Sequence, residues 1–285
     1  MLVSAVWLGA FCPAAHSELI PSDAAQVSPA QTREFLDLIC PADAAATGCS
    51  NCPEETSYPG HPAWKLDTIT FGHFLGAKSE DALIGGSGCE SHANGLIGTY
   101  LFTKDQAFWR KVWYDPRENT DDCKKLAASD SRDLLVCSAQ DMHQGLGDSF
   151  LYLLDPGQDP DWKPQTLDIF FGVDDTVGGC VKMPDATTVS GTIEQVTFVP
   201  APKPPQVRIS VKARVGKAVI PDAVLNACYT GIPATPAITT VSLRYNFIFN
   251  GQKIVAAPGN PPAKYNFAVA PLTAYHPADR SPSRK

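Results

Sequence analysis

Two short segments of this sequence place a carboxylate two residues ahead of a histidine: Glu90-Ser91-His92 and Asp141-Met142-His143. Imidazole nitrogens and carboxylate oxygens are good ligands for zinc and copper. A carboxyl beside an imidazole can also do general acid–base hydrolysis. If the two loops converge, they bring two imidazoles and two carboxylates to one place. Against this, neither segment has the ligand spacing of a known metal motif, and a loop histidine commonly bonds a backbone carbonyl to shape its turn. No metal and no cofactor are therefore expected, and no residue is assigned a catalytic role.

Other candidates fail on their surroundings. Gly85-Gly86-Ser87-Gly88-Cys89 is glycine-rich, but a phosphate loop needs a following helix and a lysine. The spacing is also wrong for a hydrolase nucleophile elbow. These glycines are expected to serve a turn. Cys89 with His92 has the pieces of a nucleophile and a base, but a cysteine in an oxidised chain is usually bonded. Cys49-Ser50-Asn51-Cys52 has no second ligand pair for zinc, and Pro53 stands where haem attachment needs histidine. Asp121-Asp122 and Asp174-Asp175 are adjacent in sequence and are expected in solvated turns. Trp109 and Trp113 fall on one face of a strand with Lys111, and Phe108, Val112 and Tyr114 on the other. The tryptophan face is either core or a stacking platform for a sugar or a partner protein.

The setting for these groups is an acidic chain of 285 residues with net charge −7 and nine cysteines. That charge disfavours nucleic acid as a partner. The apolar stretch from Leu2 to Phe11 is too short to span a bilayer, so no transmembrane segment is expected. With small residues at Ala15 and Ser17 it suits a secretory signal over 1–17, although no Lys or Arg precedes it. Removing that segment removes Cys12 and leaves eight cysteines: Cys40, Cys49, Cys52, Cys89, Cys123, Cys137, Cys180 and Cys228. An even set in an exported chain points to disulfides, whose connectivity stays open among 105 pairings for eight cysteines.

One pairing has a geometric argument. The segments 123–126 and 134–137 flank the polar turn Ser129-Asp130-Ser131-Arg132, and Cys123 and Cys137 sit at their far ends. Facing residues of antiparallel strands lie about 4.5–5.5 Å apart, within disulfide reach. The alternative is Cys137 with Cys89, which follows a similar strand.

The fold expected is mainly β, with antiparallel hairpins in two lobes and one short N-terminal helix. Ser28-Pro29-Ala30-Gln31 is a capping box with proline at the first helical position. That helix and a Cys-rich stapled loop fill 18–62. A first β lobe covers 63–160, a second 161–272, and 273–285 is a flexible tail. Val241 to Phe249 alternates as a half-buried strand should, and Asn250-Gly251 reads as a two-residue hairpin turn. Asp81-Ala82-Leu83-Ile84 leads through Cys89, His92 and Gly95-Leu96 to Tyr100-Leu101 and Asp105. Asp133-Leu134-Leu135-Val136 leads through Cys137, His143 and Gly145-Leu146 to Phe150-Leu151 and Asp155, starting 52 residues later. Such blocks read as repeated supersecondary units.

Phe71-Gly72-His73-Phe74 followed by Asp81-Ala82-Leu83-Ile84 and a strand closing near Trp109 resembles the FG-GAP or VCBS type of β-propeller repeat, over residues 67–155. The resemblance implies propeller-blade-like repeats. It departs where such repeats carry a calcium loop. The segment here is Leu75-Gly76-Ala77-Lys78-Ser79-Glu80, with one carboxylate and a lysine, whereas calcium takes several hard oxygen ligands.

The functional expectation is an exported, non-catalytic binding or structural module, secreted or in the periplasm or cell envelope, with a protein or carbohydrate partner. Its candidate contacts are Glu90, His92, Asp141, His143, Trp109 and Trp113. The alternative is an exported hydrolase with a carboxylate/His or metal site in the loops near His92 and His143.

Overall fold

A computed structural model describes residues 20, 22–23, 28–42, 44–51, 64–88, 98–115, 118, 120–143, 146–157, 165–174, 187–199, 205–217 and 239–261. The signal-like segment 1–17, the tail 273–285 and Cys52, Cys89, Cys180 and Cys228 lie outside the described residues.

Helix α1 (Pro29–Ile39) starts where the capping box places it. Gln31 N–H donates to the Ser28 hydroxyl at 3.3 Å, and Ser28 N–H donates to the Gln31 side chain at 3.2 Å. Its C-terminus is closed by Cys40 N–H donating to Leu36 O at 2.8 Å. Cys40 is then bonded to Cys49. That staple brings Gly48 into a bridge with Lys65. A Cβ at Gly48 would lie 2.1 Å from Trp64 O, so only glycine permits the approach.

Three four-stranded antiparallel sheets follow, each joining its strands in chain order, and none closes into a barrel. Sheet 1 holds β1 (Lys65–Gly72), β2 (Asp81–Ser87), β3 (Thr99–Asp105) and β4 (Phe108–Asp115). Sheet 2 holds β5 (Cys123–Ala127), β6 (Asp133–His143), β7 (Leu146–Asp155) and β8 (Gln165–Asp174). Sheet 3 holds β9 (Thr187–Val199), β10 (Gln206–Lys217), β11 (Thr239–Phe249) and β12 (Ile254–Ala256). The boundary expected at 160/161 therefore does not separate sheets: β8 pairs with β7, Leu151 opposite Phe171. The Asp-Pro breakers around 155–160 interrupt the chain but do not stop the strands on either side from pairing.

The sheets stack face to face through three cores. Phe35 and Leu36 of α1 pack with Ile69, Ala82, Ile84, Tyr100 and Phe102 on one face of sheet 1. Leu83, Leu101 and Trp113 on its other face meet Leu135, Tyr152, Leu154 and the Cys123–Cys137 disulfide of sheet 2. Leu134, Val136, Leu151 and Leu153 on the far face of sheet 2 meet Val207, Ile209, Tyr245 and Phe247 of sheet 3. Ala82–Ile84, Tyr100–Phe102, Leu134–Cys137 and Leu151–Leu154 are buried on both faces of their sheets, and these apolar runs are unbroken for that reason. Sheet 3 ends the stack: Thr192, Arg208, Lys212, Ser242 and Arg244 are exposed on its outer face.

The two similar blocks occupy the same places in sheets 1 and 2. Asp81 and Asp133 open the second strands, and Asp105 and Asp155 close the third. The expected two-residue turn at Asn250-Gly251 is instead a four-residue connection from Phe249 to Ile254, because Asn250 Oδ1 accepts from the N–H groups of Gln252 (3.0 Å) and Lys253 (2.8 Å).

Candidate binding surface

Glu90 and His92 lie outside the described residues. Asp141 and His143 are on β6, paired with Asp148 and Leu146 at the tip of the β6–β7 hairpin; their side chains are not described. Near one end of β2 and β6, Asp133 N–H donates to His73 O at 2.9 Å, and His73 N–H donates to the Asp133 carboxylate at 2.8 Å. At the other end Asp121 lies against Thr68 and Gly85. The β2–β3 and β6–β7 connections both leave from that second end. Among the described residues no group of three or more metal-ligating side chains assembles.

The tryptophans do not share a face. A bulge between Leu101 and Phe102 leaves Val112 without a partner, so Leu101 faces Trp113 and Phe102 faces Lys111. One extra residue on a strand reverses the alternation beyond it. Trp113 is consequently 5% exposed in the core between sheets 1 and 2, and its indole N–H donates to Pro156 O at 2.9 Å. Trp109 lies on the helix side, against Phe35 (5.2 Å) and Phe71 (6.1 Å), with the Lys104 ammonium 5.8 Å from its ring centroid. A two-tryptophan platform does not form.

What surrounds Trp109 is more informative. Phe71 is 36% exposed, and Phe108, on the turn from β3, is 78% exposed. The turn is tight: Asp105 pairs with Phe108, and Gln106 has φ 55°. β4 is the outer strand of sheet 1, with Arg110 and Lys111 exposed along it. Lys104 bonds Glu80 at 2.7 Å. The Lys104 hydrogen bond and charge hold the exposed Glu80 carboxyl below its ordinary range. This edge is aromatic and cationic in a chain of net charge −7. Composition hid it, because the whole-chain sum averages the edge away.

Asp121 was also hidden. It lies in a turn as expected, yet it is partly buried rather than fully solvated. The Thr68 hydroxyl donates to its carboxylate, and a Cβ on Gly85 would lie 2.2 Å from that oxygen. Burial pushes the carboxyl up; the Thr68 bond opposes this, and nearby Asp67 and Asp122 add to it. Gly85 and Gly86 are accordingly strand residues of β2, not the turn expected. Trp64 closes on Gly86, where a Cβ would meet its ring at 2.1 Å.

No helix among the described residues is long and apolar enough to cross a membrane. No family model matches the sequence, and no significant match exists among curated proteins or solved structures.

Proposed function

We propose that this protein is an exported, non-catalytic binding module that holds a protein or carbohydrate partner along the outer edge of sheet 1. The observation that carries the reading is Phe108, 78% exposed at the tip of an edge strand. Trp109 and Phe71 extend the apolar surface on the helix side, and Lys104 and Arg110 add charge. Clustered exposed aromatics with cations nearby are enriched at binding hot spots. Export is supported by the signal-like segment 1–17 and by the Cys40–Cys49 and Cys123–Cys137 bonds.

The test is a screen of immobilised polysaccharides and cell-envelope proteins against the wild-type chain and Phe108→Ala. Binding by the wild type that falls at least tenfold in the variant, with unchanged stability, supports the reading. Equal binding by both rejects this surface. A hydrolase is the second reading, favoured by the partly buried Asp121 carboxyl beside Gly85, near the end of β2. Turnover of an ester, peptide or glycoside panel, lost in Asp121→Asn, would select it.

A further inference from the structure

The outer edge of sheet 2 is occupied by the chain's own N-terminal segment. β5 begins that sheet, so one side of the strand has no strand neighbour. Cys123 faces Cys137 with Cα atoms 4.2 Å apart, the spacing of a pair that does not exchange backbone hydrogen bonds. The backbone groups of Cys123 and Lys125 therefore point outward. Asp23 takes both. Its N–H donates to Cys123 O at 3.1 Å, and its carboxylate accepts from Lys125 N–H at 2.8 Å and pairs with the Lys124 ammonium. One residue thus does with its amide and side chain what a neighbouring strand does with an N–H and a C=O. Beside it the Ser22 hydroxyl donates to Asp121 O at 2.5 Å. Ile20 is fully buried in the core between sheets 2 and 3.

We infer that the β5 edge is a peptide-recognition groove that reads an aliphatic residue followed two and three positions later by serine and aspartate, and that residues 20–23 are its resident ligand, held in cis. The aliphatic socket lies in the core between sheets 2 and 3, the Asp121 carbonyl in the turn that leads into β5, and the lysine-flanked N–H of Lys125 on β5 itself. Main-chain bonds to a sheet edge combined with side-chain pockets are how strand addition achieves both affinity and selectivity. The segment covers backbone groups that would otherwise pair with any passing strand. Only residues 24–27 separate the segment from the helix N-cap at Ser28, so its local concentration is of millimolar order. Cis occupancy then needs only modest intrinsic affinity, and the same segment offered by a second molecule competes for the groove. The inference rests on the β5 edge of sheet 2 and the core between sheets 2 and 3, and is independent of the surface on sheet 1.

The experiment uses the folded, oxidised full chain with a protease site placed between Asp23 and Ser28. After cleavage, a fluorescent peptide spanning Glu18 to Val27 replaces the severed segment, read by anisotropy. Saturable binding is expected after cleavage, at least roughly 100-fold stronger than to the uncut chain. Peptides carrying Ile20→Asp or Asp23→Ala bind roughly 10- to 100-fold more weakly, and Lys124→Ala in the protein weakens the native peptide likewise. A second arm uses the uncut chain carrying Ile20→Asp with Asp23→Ala, which opens the groove without proteolysis and gains affinity for the same peptide. Folding in both arms is read from near-ultraviolet circular dichroism. Absence of binding by folded protein in either arm, or equal binding of a scrambled peptide, overturns the inference.

Discussion

Removing the Arg132 side chain tests whether the turns at one end of sheets 1 and 2 are held by a single charge. Arg132 donates from its two terminal nitrogens to the two Asp155 oxygens at 3.0 and 3.1 Å. Its Nε–H donates to Asp130 at 2.7 Å, and it reaches Phe74 O at 3.3 Å. The Asp155 side chain is 2% exposed, whereas that of Asp130 is 52% exposed. The two ion pairs therefore differ in kind. Breaking a buried pair from one side leaves an uncompensated charge and costs about 3–5 kcal/mol. The exposed pair contributes about 1 kcal/mol or less. Arg132→Ala is expected to lose about 3–5 kcal/mol, since Gly157 N–H, at 2.9 Å, is the donor left to Asp155 among the bonds described. Asp155→Ala should lose a similar amount, because it strips the half-buried guanidinium of its bidentate partner. The double variant should lose much less than the sum, with a coupling of about 2 kcal/mol or more. Urea unfolding of the four proteins at one pH measures this directly. Single losses below about 1 kcal/mol, or additive losses, would show that the pair is solvent-screened and the reasoning wrong.

Three other outcomes follow from single sites. Asp121 has a raised carboxyl in the folded state, so the native protein binds more protons than the unfolded chain between the two pKa values. Stability must fall as pH rises through that window; Asp121→Asn should be the more stable protein at pH 7 and lose its advantage below the carboxylate range, as urea midpoints across pH will show. Gly86→Ala should cost about 1–3 kcal/mol or more in thermal or urea unfolding, since its Cβ would overlap the buried Trp64 ring at 2.1 Å. Thiol titration of the denatured, unreduced protein lacking residues 1–17 should read near zero; two or more reactive thiols per chain would break the fully oxidised reading of the eight cysteines.

The elements whose cause is local were legible before the fold was known. The capping box sets the start of α1 by hydrogen bonds three residues apart. The Cys123–Cys137 bond follows from a hairpin closing on itself, and its formation removes the Cys89–Cys137 alternative. Alternation along β11 reports a strand buried on one face. What escaped has a cause elsewhere in the chain. The bulge at Val112 carries no composition signal, and it moved Trp113 from a shared face into the core. Gly85 and Gly86 look like turn residues, but their small size answers Asp121 and Trp64, distant in sequence. Asp23 gave no sign that its carboxylate stands in for a strand.

The stacked arrangement limits where function can sit. The central apolar runs of β2, β3, β6 and β7 (Ala82–Ile84, Tyr100–Phe102, Leu134–Cys137 and Leu151–Leu154) spend both faces on packing, so those side chains contact only other parts of the chain. The outer face of sheet 3 is polar and one face of sheet 1 is partly covered by α1. Edges and hairpin ends remain. The β4 edge is left with exposed aromatic and cationic groups, whereas the β5 edge is covered by Ile20, Ser22 and Asp23. Two edges of the same stack thus received opposite treatment, one presented and one plugged. An edge strand invites pairing with foreign chains unless charge, a bulge or a cover prevents it. β4 has the charge and the bulge but keeps Phe108 uncovered; shielding alone calls for no exposed aromatic at that tip, whereas partner binding does.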